Sequence, residues 1–272
     1  MPILPAVIIV VMVGMAVLAP VLSPHSPTSG ILRDQLKPPM WLEGGSGEYP
    51  LGTDRFGRDI LSRMMHGARI SLIVSLVSLA IGATVGATLG LISGYLGRWV
   101  DALIMRIVDM TLSLPLFLMA IVLAVILGPN LLNVIIIVAF LIWARYARII
   151  RGEVLSLRSR DFVALARVAG ASHTRIIVKH LFPNVAHTLV ILITLQVGWV
   201  ILLESSLSFL GVGIPPPTPA WGLMVADGRN YVDTAWWISV VPGIAIALIV
   251  LSLNLAGDWL RDVLDPRRRQ MA

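Results

Sequence analysis

The chain has 272 residues, of which 57% are hydrophobic and 13% are charged, and its mean hydropathy is +0.88. These values are far from those of an average soluble domain and are typical of a membrane protein. The absence of cysteine excludes a disulfide framework and a cysteine-based metal or redox site. The net charge of +6 indicates basic residues retained on the cytosolic side of a membrane rather than nucleic-acid binding, because no basic face with interleaved aromatic residues lies outside the loops.

Six segments are long and apolar enough to cross a bilayer as helices. They are residues 3–22, 70–91, 110–127, 131–143, 185–203 and 237–255. The fourth is short by itself, and we expect it to extend through Ile150 with Arg145 and Arg148 at its cytosolic end. Residues 94–109 carry four charged side chains, so we expect them at the surface or in a helical extension. The expected fold class is all-α, a polytopic membrane protein with six transmembrane helices.

The distribution of basic residues predicts the orientation of these spans. The loop after the fourth span carries a large excess of Lys and Arg over acidic residues, and the tail at residues 261–272 adds more arginines. Both belong in the cytosol by the positive-inside rule, which with six spans places both termini there. A cleaved signal peptide at the first span is the less favoured alternative, because no basic segment precedes the apolar run.

Three regions follow from this reading of the chain. Residues 1–69 hold the first span and an outer loop, in which an amphipathic helix is predicted from Asp54 to Arg69, lying flat at the outer interface with Phe56 and Ile60 on its apolar side. Residues 70–260 form the transmembrane core, which includes a cytosolic element at residues 161–183. Residues 261–272 form the basic cytosolic tail.

The second span contains a glycine row in which Gly82, Gly86, Gly90 and Gly94 recur every fourth residue. In lipid, helices associate by close backbone approach, and rows of small residues permit it. Packing against another helix of the same chain is the favoured interpretation. Contact with a second membrane subunit is the alternative.

The polar and basic segment at residues 161–183 interrupts two apolar runs. Its sequence predicts a short helix, a break at Gly170, a second short helix and a stop at Pro183. A membrane protein with such an element between two spans presents it to something in the cytosol. Its small apolar residues and arginines suit a groove on a partner protein, and an ordinary basic loop is the alternative.

No catalytic motif is found in the sequence. It lacks GxxxxGK[ST], HExxH and GxSxG, and its five histidines are scattered without ligand spacing, so neither an enzyme nor a metal site is expected. Ionisable residues are scarce within the spans, which argues against a proton- or sodium-coupled carrier. Glu204, near the outer end of the fifth span, fits a structural role at least as well as a role in a transport pathway. The chain therefore looks like one subunit of a larger machine.

Several stretches now carry a specific resemblance. They are residues 51–71 (LGTDRFGRDILSRMMHGARIS), 90–97 (GLISGYLG), 207–222 (LSFLGVGIPPPTPAWG) and 257–266 (GDWLRDVLDP). With them the chain resembles the permease subunit of a bacterial ATP-binding-cassette (ABC) importer of the dipeptide/oligopeptide/nickel family, C-type subunit. Residues 38–46 (PPMWLEGGS) are more similar to the dipeptide branch than to the others. The resemblance implies the type I ABC importer permease fold.

The segment at residues 161–183 resembles the cytosolic motif of importer permeases, Glu-Ala-Ala, three residues, Gly, nine residues, Ile-x-Leu-Pro. Gly170 and Pro183 match at the expected spacing, His180 and Phe182 replace Ile and Leu, and the acidic residue is missing. The resemblance implies a coupling helix that sits in a cleft of the ATPase subunit. The residues it implies for this contact are Asp161, Ala164, Ala166, Arg167, Val168, Ala169, Gly170, Ala171, Arg175 and Pro183.

The resemblance also implies the partners, the location and the transport activity. A second homologous permease, two ABC ATPases, an extracytoplasmic substrate-binding protein and membrane lipid are the expected partners, with no nucleic acid. ATP and Mg²⁺ belong to the ATPases, and no cofactor is expected in this chain. The expected location is the bacterial cytoplasmic (inner) membrane, and the expected activity is import of peptides, dipeptides first, by alternating access. Nickel or another small solute is the alternative cargo; a stand-alone secondary carrier and a membrane scaffold are less favoured.

Overall fold

Two long helices, α2 (Ile60–Leu96) and α5 (Leu131–Leu157), form the centre of the molecule in the computed structural model, which describes residues 3–264. Asp59 and Asn130 begin these helices, because each side chain accepts hydrogen bonds from backbone N–H groups of the first turn. Both helices are far longer than an isolated span requires, and they pack side by side over most of their length. The rest of the chain is arranged around this pair.

The remaining helices surround the central pair. They are α1 (Ile3–Leu22), α3 (Arg98–Ser113), α4 (Leu116–Leu127), α6 (Asp161–Val168), α7 (His173–Ile176), α8 (Phe182–Phe209), α9 (Trp221–Gly228) and α10 (Trp237–Leu264). No β-strand occurs among residues 3–264, and the all-α prediction is confirmed. Residues 261–264 continue α10, whereas the rest of the predicted basic tail, from residue 265 on, lies outside the described residues.

The predicted spans are present, with one correction. Five helical segments are long and apolar enough to cross a membrane, and the pair α3 and α4 brings the number to six if it counts as one span. The prediction of a continuous third span at residues 110–127 is wrong, because the chain bends by 95° between α3 and α4. Pro115 explains the bend, since it lacks an N–H group and holds Leu114 in an extended conformation.

The fourth span extends through Ile150 as predicted, and its helix continues to Leu157. Arg145 does not lie at a helix end. It follows Leu131 by fourteen residues in a helix of 27, about 21 Å along the axis. The apolar run of residues 131–143 is followed by five further buried residues between 144 and 154, so α5 continues as one rod.

The glycine row of α2 faces α5. A Cβ atom on Gly82 would lie 2.4 Å from the Ile142 side chain, and one on Gly86 would lie 2.3 Å from the carbonyl oxygen of Trp143. Gly90 and Gly94 meet the following turns of α5 in the same way. The two backbones are therefore in direct contact, which small residues allow.

The predicted amphipathic helix at residues 54–69 is not a separate element. Residues 54–58 form a turn in which the Asp54 carboxylate accepts the N–H group of Phe56 at 2.8 Å and pairs with Arg58 at 2.6 Å. From Ile60 the chain is part of α2, and Ile60 and Met64 are buried inside the protein rather than lying flat at an interface. The Asp59 cap sets this starting point.

The bundle has two opposite ends, the Trp237 end and the Tyr95 end. At the Trp237 end, the Trp237 indole donates to the Thr53 carbonyl at 3.2 Å and the Trp221 indole donates to the Met64 carbonyl at 3.0 Å. The first bond fastens residues 23–59 to α10, and the second joins α9 to α2. At the Tyr95 end, α2 and α5 finish and the segment containing α6 and α7 begins.

Substituting Gly86 by alanine tests the contact of α2 with α5. The added methyl group collides with backbone atoms that cannot turn away, and overpacking of this kind costs about 1–3 kcal/mol. We expect Gly86→Ala to lower the midpoint of thermal unfolding of the purified protein. Gly14→Ala is the control, because nothing lies within 4 Å of its Cβ position, and it should leave the midpoint unchanged or slightly raised. Equal midpoints for the two variants would contradict the contact.

Candidate functional site

The candidate site is the helical hairpin of α6 and α7 at the Tyr95 end. Gly170 ends α6 with φ +76°, in the left-handed region that favours glycine. The N–H group of Ala171 bonds to the carbonyl of Ala166, and that of Gly170 bonds to the carbonyl of Arg167, both at 3.0 Å, which is the Schellman pattern of a helix end. The chain therefore turns sharply at the predicted glycine and starts α7.

An apolar cluster anchors the hairpin to the bundle. Val163 of α6 and Ile176 of α7 are buried together with Ile150 and Val154 of α5. Tyr95, from the last turn of α2, belongs to the same cluster. Since every one of these side chains is at most 5% exposed, the hairpin is packed onto the central helices rather than hanging from a loop.

Polar contacts hold the same hairpin. The Tyr95 hydroxyl lies 3.0 Å from Nδ1 of His173, and the guanidinium of Arg167 lies 5.2 Å from the centre of the Tyr95 ring. Arg158 donates to the carbonyl oxygen of Gly94 at 3.0 Å. The two contacts of Tyr95 link α6 and α7 to the end of α2, so a displacement of the hairpin acts directly on that helix, whereas the Arg158 bond joins the end of α5 to α2.

The outer face of α6 carries an exposed apolar stripe. Phe162, Leu165 and Val168 are 37%, 68% and 88% exposed, and their spacing of three places them along one side of the helix. Arg167 and Arg175 are exposed beside them. An apolar patch with a charged rim is the usual form of a protein interaction surface.

The predicted contact residues divide into two groups. Ala166 and Ala171 are half-buried against the anchoring cluster and therefore support the hairpin. The exposed ones are Asp161, Ala164, Arg167, Val168, Ala169, Gly170, Arg175 and Pro183. Sequence reasoning missed Leu165 and Phe162, although the stripe they form with Val168 could have been found from helical spacing.

Pro183 does not stop a helix, and that part of the prediction is wrong. The chain is helical from His173 to Phe209, and Pro183 lies in the first turn of α8. A π-helical turn at Ile177–Leu181 precedes it, in which the N–H group of Phe182 bonds to the carbonyl of Ile177. The wider turn accommodates a ring that would otherwise collide with the preceding turn. The hairpin therefore continues into the span without a break.

Glu204 is enclosed rather than lying at an interface. Its side chain is fully buried, and its two oxygens accept hydrogen bonds from the hydroxyl groups of Ser71, at 3.1 Å, and Ser208, at 2.8 Å. The bond to Ser71 ties α8 to α2. A buried carboxylate that is hydrogen-bonded on both oxygens fits the structural role.

Comparison with known proteins gives consistent findings. Residues 86–270 match the family described as binding-protein-dependent transport system inner membrane component. The chain is 41% identical to the di/tripeptide transport system permease protein DppC of Pseudomonas aeruginosa (strain UCBPP-PA14), over 94% of this chain and 85% of that protein. It is 42% identical to the dipeptide transport system permease protein DppC of Escherichia coli (strain K12), over 97% of this chain and 88% of that protein.

A solved structure shares the fold. An inward-facing form of the MetNI methionine ABC transporter contains a chain that superposes with a TM-score of 0.61 at 18% identity, covering 75% of this chain and 96% of that one. At this identity the likeness concerns the fold, and the predicted importer permease fold is confirmed.

Two valines on α6 test how the hairpin is anchored. Val163→Ala removes buried methyl groups worth about 1.5 kcal/mol, so the amide hydrogens of α6 should exchange about tenfold faster. Val168→Ala is the matched control on the same helix and should leave exchange unchanged, because Val168 is 88% exposed. Hydrogen exchange followed by mass spectrometry measures both. Similar exchange in the two variants would show that Val163 does not anchor α6.

Proposed function

The chain belongs to the family of binding-protein-dependent transport system inner membrane components, and we propose that it is the permease subunit that moves peptides, dipeptides first, through an ATP-driven importer. The peptide transport named for its relatives supports this cargo. Alternating access is the proposed mechanism: the spans expose the pathway to one side of the membrane and then to the other. ATP and Mg²⁺ are bound by partner ATPases, since this chain has no phosphate-binding loop.

The observation that carries the proposal is the exposed stripe on an anchored helix. The side chains of Leu165 and Val168 are mostly exposed in this chain, and a cleft on an ATPase would bury them. Burial of apolar surface contributes about 25 cal/mol per Å² to the binding free energy. Burial of a few such side chains therefore stabilises the contact with the ATPase and still leaves it reversible. Arg167 and Arg175 at the rim favour an acidic partner surface.

The anchoring explains how ATP-driven closure reaches the spans. The hairpin is packed on α2 and α5 and is continuous with α8 through the π-helical turn. No flexible loop separates it from α8, because the chain is helical from His173 onward. When two ATPases close on ATP, each docked hairpin moves as a rigid body and tilts these helices.

The proposed orientation places the Tyr95 end and both termini in the cytosol. The excess of Lys and Arg in residues 151–179 supports this orientation. The Trp237 end then faces the substrate-binding protein. There residues 23–59 are fixed by the buried pair Asp54–Arg58 and by Asp227, which lies 3.1 Å from Arg55. A second, related permease completes the pathway.

Charge substitutions on the stripe test the docking. Val168→Asp and Leu165→Asp place a carboxylate in the proposed contact, so ATPases should no longer co-purify from the membrane, while a second permease should still do so. Thr28→Asp adds the same charge at the opposite end and should retain the ATPases. Mass spectrometry of the bound proteins measures the result.

Two results would contradict the proposal. The docking assignment fails if both stripe variants keep their ATPases. The peptide assignment fails if proteoliposomes that contain the complete transporter and its binding protein take up no dipeptide with ATP inside, or take up nickel instead.

A further inference from the structure

An open cavity of about 450 Å³ lies at the surface of the bundle where α5, α8 and the broken helix pair meet, and Arg145 and Arg148 are exposed there. Its polar lining consists of Arg145 and Arg148 from α5 and Gln196 and Trp199 from α8. Leucine and isoleucine side chains form the remaining wall. A mostly apolar cavity of this size with a few convergent polar groups is the usual form of a small-molecule site.

The cavity lies near the middle of α5 and α8 rather than at their ends. Arg145 is fourteen residues from the start of α5, and Gln196 is fourteen residues from the start of α8, so both are about 21 Å along helices of 27 and 28 residues. An arginine in the middle part of a helix that is apolar enough to cross a membrane is a candidate functional residue. Leu112 and Leu116, on either side of the 95° bend, also line the cavity. Broken helices near the midplane are where transporters place their substrate sites.

Only one of the two arginines that line the cavity forms an ion pair within residues 3–264. Arg148 forms an ion pair with Asp109. Arg145 has no ion-pair or hydrogen-bond partner among residues 3–264, and over the same range the Gln196 amide and the Trp199 indole N–H have no hydrogen-bond partner. One positive charge and several donors therefore remain available. The start of α4 at Leu116 adds the partial positive charge of a helix N-terminus.

We propose that this cavity binds the carboxylate end of the peptide during its passage through the membrane. A guanidinium binds a carboxylate through two parallel hydrogen bonds, and a single unpaired arginine matches the single charge of a peptide C-terminus. Gln196 and Trp199 supply further donors, and the apolar wall accommodates the C-terminal side chain. This inference rests on the proposed function and adds a selection step inside the permease, after release from the binding protein.

The test compares a dipeptide with the same dipeptide lacking its charge. Proteoliposomes that contain the complete transporter take up dialanine or dialanine amide from the binding protein, whose loading with each peptide is measured separately. We expect Arg145→Gln to lower the ratio of acid to amide uptake at least about tenfold, because a hydrogen-bonded charge pair is lost. Arg145→Lys keeps the charge and should retain part of the ratio. Arg106→Gln removes an exposed arginine outside the cavity and should leave the ratio as in the wild type.

Each outcome decides a separate claim. Failure of the wild type to take up dialanine overturns the proposed function itself. Wild-type uptake with an unchanged ratio in Arg145→Gln overturns the carboxylate site and leaves the proposed function standing. Loss of the second permease from the purified Arg145→Gln complex also overturns the site, because Arg145 would then pair with an acidic residue of that partner.

Discussion

The direct backbone contact between α2 and α5 is the constraint on which the other features depend. Without side chains at Gly82, Gly86, Gly90 and Gly94, the two helices approach closely enough for Tyr95 to reach the cluster around Ile150 and Val154. The hairpin of α6 and α7 packs on that cluster. The attraction in such a contact is van der Waals packing, since lipid offers no hydrophobic driving force between helices. Any side chain added to this row acts on the hairpin as well as on the helix pair.

The same helices connect the hairpin with the cavity. Val154 and Ile150 of α5 anchor the hairpin, and Arg148 and Arg145 follow on the next turns toward the middle of the span. On α8, Val185 belongs to the anchoring cluster and Gln196 lines the cavity. In the proposed mechanism, a tilt that ATPase closure imposes on these helices would change the shape of the cavity without an intermediate loop. A physical link of this kind, through packed and continuous elements, is what coupling between distant sites requires.

The sequence was sufficient for the features that local chemistry decides. Hydropathy predicted the spans, spacing predicted the glycine row, and Gly170 predicted the turn that ends α6. Features that depend on tertiary context were not predicted. Pro183 indicated a boundary because proline is a poor candidate for the interior of a helix, yet a π-helical turn carries the chain through it. The stripe of Phe162, Leu165 and Val168 could be predicted from helical spacing, whereas its exposure depends on which face of α6 packs on the bundle, and burial of Val163 decides that.

The central claim is that the outer face of α6 contacts an ATPase while its inner face contacts the bundle. Since the chain has no cysteine, single cysteines can be introduced for crosslinking without a thiol background from this chain, and the cysteine-free chain is the control for thiols of its partners. Native membranes would be treated with a short thiol-to-amine crosslinker after cysteine substitution at Leu165, Val168, Val163 and Ile176 in turn. The account predicts crosslinks to an ATPase from the first two positions and none from the last two, which are buried. Crosslinks from Val163 or Ile176, or none from Leu165 and Val168, would contradict it.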